Sequence, residues 1–293
     1  MDKIGIITNR QKDKGLEFTR KVVDSILKKG GSVRLPCDIA EELQICQEQL
    51  DEDSLVEDSD IIICLGGDGT FLKAARGIYK KGIPMLGINL GSLGFLAEVE
   101  RHEIDNAIDL IINDKYSVQK RIMLEATIIR DGKELAKDVA LNDVVISRGA
   151  LSRILHLKTY INEVFVDSFP GDGVIVSSPT GSTAYSLSAG GPIVDPDMDS
   201  IILTPICPHT LYSRSFITSG NRTVKVVVDE NYSHEAMVTV DGQEGYTIIG
   251  GDIIEVKKSQ YDVKMVMVNS PDFFNILRRK IYDRREKLKK DEI

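Results

Sequence analysis

The chain is expected to fold as an α/β domain followed by an all-β domain, with a helical tail. Three observations predict this. Over the first 118 residues, apolar runs of strand length alternate with helical patterns, the order that builds βαβ crossovers and a parallel sheet. After Ser117 the pattern changes to short strand-like runs with turn residues about every ten positions, as in a sandwich or related stacked sheets. From Asp272 the chain becomes helical and highly charged. The expected boundaries are 1–118, 119–269 and 270–293.

In order, Lys3 to Thr8 reads as the first strand. Leu16 to Lys29 reads as a helix with Leu16, Val22, Val23, Ile26 and Leu27 on one face, ended by Gly30-Gly31. Ser32 to Cys37 reads as a second strand. The acidic stretch Glu41 to Asp60 is a poor core builder, expected as surface helix and loop. Ile61-Ile62-Ile63-Cys64 is a run of apolar residues rich in β-branching, which reads as a strand buried on both faces. Phe71, Leu72, Ala75 and Ile78 then recur at helical spacing, and Lys80-Lys81-Gly82 closes that helix. Pro84 to Leu90 is the next strand. Glu103 to Asn113 is an amphipathic helix, with Ile104, Ala107, Ile108 and Ile111 as its apolar stripe.

Strands of the second domain are expected at Arg121 to Ile129, Val139 to Ser147, Leu155 to Tyr160, Gly173 to Ser177 and Ile201 to Ile206. Others follow at Thr223 to Val228, Met237 to Asp241, Ile248 to Val256 and Val263 to Val268. Asp131-Gly132 and Asn162-Glu163 are hairpin turns between such runs. In the tail, Phe273, Phe274, Ile276, Leu277 and Ile281 form an apolar face expected to pack back on the α/β domain. Its cations (Arg278, Arg279, Lys280, Arg284, Arg285) read as a solvated face.

The 293 residues carry 37 Lys and Arg against 45 Asp and Glu, a net charge of −8, with 42% apolar and 28% charged residues. That balance suits a globular protein and argues against broad nucleic-acid binding, which wants a basic face. Cys37, Cys46, Cys64 and Cys207 lack paired spacing, so neither a metal site nor a disulfide framework is indicated. No apolar run approaches the roughly 20 residues that span a membrane. Met1-Asp2-Lys3 leads straight into a strand pattern rather than a leader. A cytoplasmic protein with no membrane or nucleic-acid partner is expected.

Two stretches carry chemistry. Leu65-Gly66-Gly67-Asp68-Gly69-Thr70 joins the Ile61 strand to a helix start, where free backbone N–H groups can hold phosphate. Asp68 is out of place beside phosphate unless it holds a metal, orients a hydroxyl or takes its proton. An ordinary strand-to-helix turn with a solvated Asp is the alternative. A second turn, Gly91-Ser92-Leu93-Gly94-Phe95-Leu96, also follows a parallel strand. It is either a wall of the same cleft, with Phe95 as a stacking surface, or a loop whose Phe95 packs inward. The other stretch runs Gly171-Asp172-Gly173, Val174 to Ser178, Pro179-Thr180-Gly181-Ser182-Thr183-Ala184-Tyr185 and Ser186 to Pro192. Its hydroxyls and helix-start N–H groups form a neutral donor-rich pocket suited to ribose, amide or phosphate. A capped helix would need only one such hydroxyl. Asn142-Asp143 adds an amide and a carboxylate.

Together with Asp241-Gly242-Gln243, these pieces resemble the bacterial NAD kinases in order and spacing over nearly the whole chain. The glycine motif is shared with diacylglycerol, sphingosine and phosphofructo kinases, whereas Pro179 to Pro192 is specific. The resemblance implies a Rossmann-like domain followed by a β-sandwich-like domain. It implies transfer of the γ-phosphoryl of ATP, or of polyphosphate, to the 2′-hydroxyl of the adenosine ribose of NAD, with Mg²⁺ accompanying the nucleotide. Asp68 matches the general base, and Gly66, Gly67, Gly69 and Thr70 match its loop. Phe95 matches an aromatic near the adenine, and Asn142 and Asp143 match the pair that holds adenine and ribose. Asp172 matches the acid at the nicotinamide. Thr183, Ala184 and Tyr185, continued by Ser186 and Ser188, match the segment lining the dinucleotide. Lys73, Arg153 and Gln243 sit where further dinucleotide contacts lie. Asp143 replaces the usual Glu, and Pro170 stands where some members carry a basic residue. The resemblance also implies a homodimer or homotetramer. A lipid kinase and a non-catalytic NAD(H) sensor are the rival readings.

Overall fold

The computed structural model describes residues 3–45, 51–91, 94–97, 99–149, 153–268 and 273–280. Cys46, Ser92, Leu93, Ile281, Arg284 and Arg285 fall outside them. The chain divides into two compact units, Met1–Lys120 with Val263–Ile293, and Arg121–Asp262.

In the first unit, strands β1 (Lys3–Thr8), β2 (Ser32–Arg34), β3 (Ile61–Gly66) and β4 (Met85–Asn89) are parallel, in the order β4-β3-β1-β2. The two-residue β5 (Val99–Glu100) adds to β4. All six residues of β3 and all five of β4 are buried, as continuous apolar runs in a parallel sheet should be. Helix α1 (Glu17–Lys28) buries Val22, Val23 and Ile26 in the same core as Ile4, Ile6 and Ile63. Leu27, expected on that face, points outward and is 49% exposed. The second strand stops at Arg34 rather than Cys37. Pro36 cannot donate to the ladder, and the chain turns into a short helix α2 (Cys37–Glu42) behind it. The acidic stretch contributes more to the core than its composition implied, since Leu43, Leu55 and Val56 are buried, the last two on α3 (Glu52–Glu57). Helix α4 (Asp68–Ile78) follows β3, and α5 (Ile104–Ile112) packs Ile104, Ala107, Ile108 and Ile111 into the core.

The second unit is two antiparallel sheets around one apolar core. One sheet holds β8 (Asp143–Arg148), β11 (Gly173–Ser177), β12 (Ser200–Ile206), β13 (Phe216–Ser219), β15 (Ala236–Val240) and β16 (Glu244–Ile248), in the order β13-β12-β11-β8-β15-β16. The other is built from β6 (Ser117–Arg130), β7 (Lys133–Ala140), β9 (Leu155–Ile161), β10 (Val164–Gly171), β14 (Val224–Val228) and β17 (Ile253–Met267). Val224, Val226 and Val228 of β14 face the core on alternate positions, beside Val144, Ile146, Val174 and Val238 of the facing sheet. Asp131-Gly132, Asn162-Glu163 and Asp241-Gly242 all have φ between 47° and 72°, the geometry of two-residue hairpin turns.

Several strand boundaries differ from expectation. Val139 to Ser147 is two strands, because Leu141 and Asn142 are drawn out of the ladder by a side chain described below. Ile248 to Val256 is also broken, at Ile249–Asp252, where Gly251 has φ +87° and the Asp252 carboxylate accepts the Ile249 N–H. Beyond that break β17 runs on without interruption, so the expected Val263 strand is its end. That end lies parallel beside β4 in the first unit, with Met265 opposite Met85. Strands β10 and β13 were not foreseen. Pro170 is tolerated in β10 because that strand lies at a sheet edge. Residues 273–280 are helical, and the Phe273 ring lies 6.1 Å from that of Phe95 in the first unit. Among the described residues no helix is long and apolar enough to cross a membrane.

Candidate active site

In the α/β unit, adjacent parallel strands end on one edge of the sheet and bring three turns together. After β3, Gly66 must lack a side chain, since a Cβ would collide with Thr70. Gly67 caps α4 in an extended conformation. After β1, Asn9 donates its backbone N–H to the Leu65 carbonyl (2.9 Å) and its side-chain amide to the Thr70 hydroxyl (2.9 Å). After β4, the Leu90 N–H bonds the Gly66 carbonyl (2.7 Å), and the buried Asn89 side chain accepts the Gly91 N–H.

Asp68 links the first of these turns to the last. Its Oδ2 accepts the Phe95 N–H at 2.9 Å, and Oδ1 accepts those of Leu96 and Ala97 at 3.0 and 3.3 Å. Gly94 packs so closely on the carboxylate that a Cβ there would overlap Oδ1. The Phe95 ring is half-buried, with the Lys280 ammonium 3.9 Å from its centre. Lys73 is exposed on α4. The sequence reading missed Asn9, and with it the turn it organises. Its signal was only a polar loop after a strand.

The β unit holds a second cluster. The Asp241 carboxylate accepts three successive backbone N–H groups, those of Leu141 (2.9 Å), Asn142 (2.8 Å) and Asp143 (3.1 Å). This pulls the chain out of the ladder and forms the Asn142 turn. The Ser178 N–H bonds the Asn142 carbonyl, and the Ser178 hydroxyl donates to the Leu141 carbonyl. Gly181 then packs so tightly on the Asn142 backbone that a Cβ cannot be placed. Asn142, Asp143 and the Pro179 to Tyr185 segment are therefore brought together, with exposed Gln243 in the hairpin turn beside Asp241. In the sequence Asp241 carries only the Asp241-Gly242-Gln243 resemblance, with no role of its own, and in the structure it is the organiser.

The hydroxyls of this segment divide. Ser182 is buried and both donates to the Val194 carbonyl and accepts its N–H, so it is spent on the fold. Ser186, expected along the ligand, is fully buried and shares a hydrogen bond with Thr204. Its side chain faces the interior. Thr183 reaches the Thr180 carbonyl at 3.3 Å. The Thr180 hydroxyl is buried and has no hydrogen-bond partner among the described residues. Thr183 and Ala184 are partly exposed, Tyr185 and Ser188 exposed.

Asp143 is 5% exposed. Burial, and then the like charge of Asp241, pushes its carboxyl up to about 7. It can therefore donate a hydrogen bond when protonated and only accept when ionised.

Asp172 and Arg153 are not part of this cluster. Ser177 pairs with Asp143 and Gly173 with Ser147, so Asp172, five residues from Ser177, sits at the opposite end of β11, roughly 16 Å away at strand rise. There the Arg148 guanidinium, unnoticed in the sequence, donates to the Asp172 carboxylate at 2.7 Å. Arg153 opens onto a cavity of about 670 Å³ lined also by His156, Asp229, Asn231, Tyr232 and His234. Among the described residues no group of three or more His, Cys, Asp or Glu converges as a metal cage.

Residues 4–116 match the model of the ATP-NAD kinase N-terminal domain, and residues 141–268 that of the ATP-NAD kinase C-terminal domain. The NAD kinase of Acetivibrio thermocellus is 60% identical over 99% of this chain and 100% of its own. That of Ruminiclostridium cellulolyticum is 54% identical over 98% and 100%. A yeast NADH kinase solved with NADH superposes with a TM-score of 0.86 at 26% identity, covering 95% of this chain and 86% of that one. An Archaeoglobus fulgidus NAD kinase solved with ATP shares the fold, with a TM-score of 0.76 at 23% identity over 96% and 98%.

Proposed function

The chain belongs to the ATP-NAD kinase family, and we propose that it transfers the γ-phosphoryl of ATP to the 2′-hydroxyl of the adenosine ribose of NAD, giving NADP and ADP. The observation that carries this is the likeness to NAD kinases at up to 60% identity over nearly the full chain. Those relatives favour a kinase acting on NAD over a lipid kinase or a non-catalytic sensor.

A ribose hydroxyl is a weak nucleophile at neutral pH, so a carboxylate within hydrogen-bond reach must aim it and accept its proton. Asp68 is our candidate. An ionised carboxylate has about four lone-pair sites. Oδ2 accepts one backbone N–H against two on Oδ1, so Oδ2 keeps room for the hydroxyl. The proton moves to Asp68 as the 2′-oxygen bonds to phosphorus and the bond from the γ-phosphorus to the bridging oxygen breaks. Fixed positions for both reactants supply much of the barrier reduction.

Gly66, Gly67, Gly69 and Thr70 are assigned to the triphosphate, and Phe95 to the adenine. Asn142 and Asp143 are assigned to adenosine, with Thr183, Ala184, Tyr185, Ser188 and Gln243 along the dinucleotide. Asp172, with Arg148 on it, and Arg153 are assigned to the nicotinamide half. Lys73 is left as a contact from α4. Mg²⁺ would enter as part of MgATP, with phosphate oxygens and water supplying its ligands beside the glycine loop, while Asp68 keeps its open site for the ribose hydroxyl. So bound, the ion would neutralise charge on the phosphates. A reducing, cytoplasmic setting fits the free thiols of Cys64 and Cys207, and burial pushes the Cys64 thiol up to about 12, which keeps it inert. A homo-oligomer through the β unit fits the exposed Leu211, Tyr212 and Ile217.

The test is NADP formation from MgATP and NAD, read with an NADP-specific dehydrogenase. Wild-type protein should produce NADP, and Asp68→Asn should lose roughly 10²–10⁴-fold in kcat. Near-normal turnover by the variant would remove Asp68 from its role. No NADP from the wild type would overturn the reading itself.

A further inference from the structure

We infer that Lys12 is a further substrate-binding residue, whose ammonium engages the triphosphate of the nucleotide donor across the Gly66-Gly67 turn. This rests on the kinase reading above and extends it to a residue outside the glycine motif.

A Cβ on Gly67 would lie 2.8 Å from Lys12 Nζ, so the charge rests directly on the backbone of the glycine turn. Among the described residues the Lys12 ammonium has no carboxylate or hydrogen-bond partner. Its neighbour Asp13 cannot serve, because that buried carboxylate is consumed by α1, accepting the N–H groups of Phe18 and Thr19 and the Thr19 hydroxyl. An exposed lysine with no partner normally extends into water, where its ammonium is best solvated. This one is folded back over a turn.

The turn that carries it is braced. The Asn9 carbonyl accepts the N–H groups of Lys12 and Asp13, both at 3.0 Å, and the Asn9 side-chain oxygen accepts those of Gln11 and Lys12. Because Asn9 also binds Leu65 and Thr70, the Cα of Lys12 is fixed relative to the glycine loop. The end of the side chain remains free to follow a ligand.

A third observation points to a ligand rather than to packing. Gly69, on the first turn of α4, would meet open space if it carried a Cβ, and its φ lies outside the left-handed region. Ala there would favour the helix by about 1 kcal/mol. Among the described residues nothing requires the glycine, whereas close approach of a bulky anion to the backbone would. An unpaired ammonium beside such a surface suits a polyanion. Lysine acts on phosphate as a mobile point charge, without the bidentate geometry of arginine.

The experiment compares wild type, Lys12→Gln, Lys12→Arg and, as an exposed-lysine control on α1, Lys21→Gln. Lys12→Gln should raise the KM for MgATP roughly ten-fold while the KM for NAD stays unchanged, and Lys12→Arg should restore much of the loss. Lys21→Gln should match wild type. Calorimetric titration with inorganic tripolyphosphate reads the same contact without turnover. Wild type should bind it, and Lys12→Gln should bind it roughly ten-fold more weakly. Equal MgATP KM and equal tripolyphosphate affinity in wild type and Lys12→Gln would overturn the inference, as would a wild type that does not bind tripolyphosphate. A wild type that binds tripolyphosphate through Lys12 yet makes no NADP would instead overturn the kinase reading alone.

Discussion

At Asp68 the carboxylate assigned to the ribose proton also holds the backbone of the neighbouring turn, through Phe95, Leu96 and Ala97. Asp68→Asn therefore changes more than the proton acceptor. The structure adds a cost, because an amide turns one acceptor into a donor that faces backbone N–H groups. A lost charge-assisted bond of this kind is worth about 1–3 kcal/mol. Asp143 is perturbed in another way. Its carboxyl is raised to about 7 by burial and by Asp241, whereas an unfolded Asp titrates near ~3.9. Between those values the folded protein holds a proton that the unfolded chain has lost, so stability falls as pH rises from about 4 to about 7 and then levels. Asp143→Asn should remove that slope and raise the melting temperature at pH 8 relative to wild type. Melting curves across pH check this, and a variant with the wild-type slope would place the titration elsewhere.

Among the elements, the decisive contacts join turns to turns. Gly94 lies on the Asp68 carboxylate and Gly181 on the Asn142 backbone, and neither can accept a Cβ without movement of its neighbour. Gly94→Ala should therefore displace Asp68 and lower kcat at least ten-fold, with a modest loss of stability. A Gly94→Ala enzyme with wild-type kcat would show that the carboxylate tolerates the shift. The elements themselves were largely legible. Ile61 to Cys64 had one reading, since a β-branched apolar run before glycine fits only a buried strand. The split of Val139 to Ser147 was not legible, because its cause, Asp241, lies about a hundred residues away in sequence. Ser186 misled for the same reason. A hydroxyl in a hydroxyl-rich stretch looks available until Thr204 is seen beside it.

For the whole molecule, the change of pattern after Ser117 marks the passage from α/β to β structure. The return of β17 to the α/β unit was not visible, because Lys257 to Asp262 reads as polar loop. Val263, Met265 and Val266 are buried at the end of β17, and Val266 joins the core around Ile63 and Leu86. The homo-oligomer proposed above also belongs to this scale. Leu211 and Tyr212 are 89% and 85% exposed, and β13, which carries Ile217, is an edge strand. Light scattering should give at least twice the 32.5 kDa chain mass. Leu211→Glu should lower that mass with little change in melting temperature, and a single-chain mass for wild type would exclude the assembly.

By itself the sequence determined the two fold classes, the buried strands, the hairpin turns and the family, because local periodicity, glycine placement and contiguous motifs are all written within short windows. Only the tertiary structure decided that Asp68 spans two turns, that Asp241 shapes the Asn142 turn, that Asp172 stands a strand's length from Asp143, and that Lys12 rests on Gly67. Those relations join residues far apart in the chain, and they depend on which strands are neighbours and in what register.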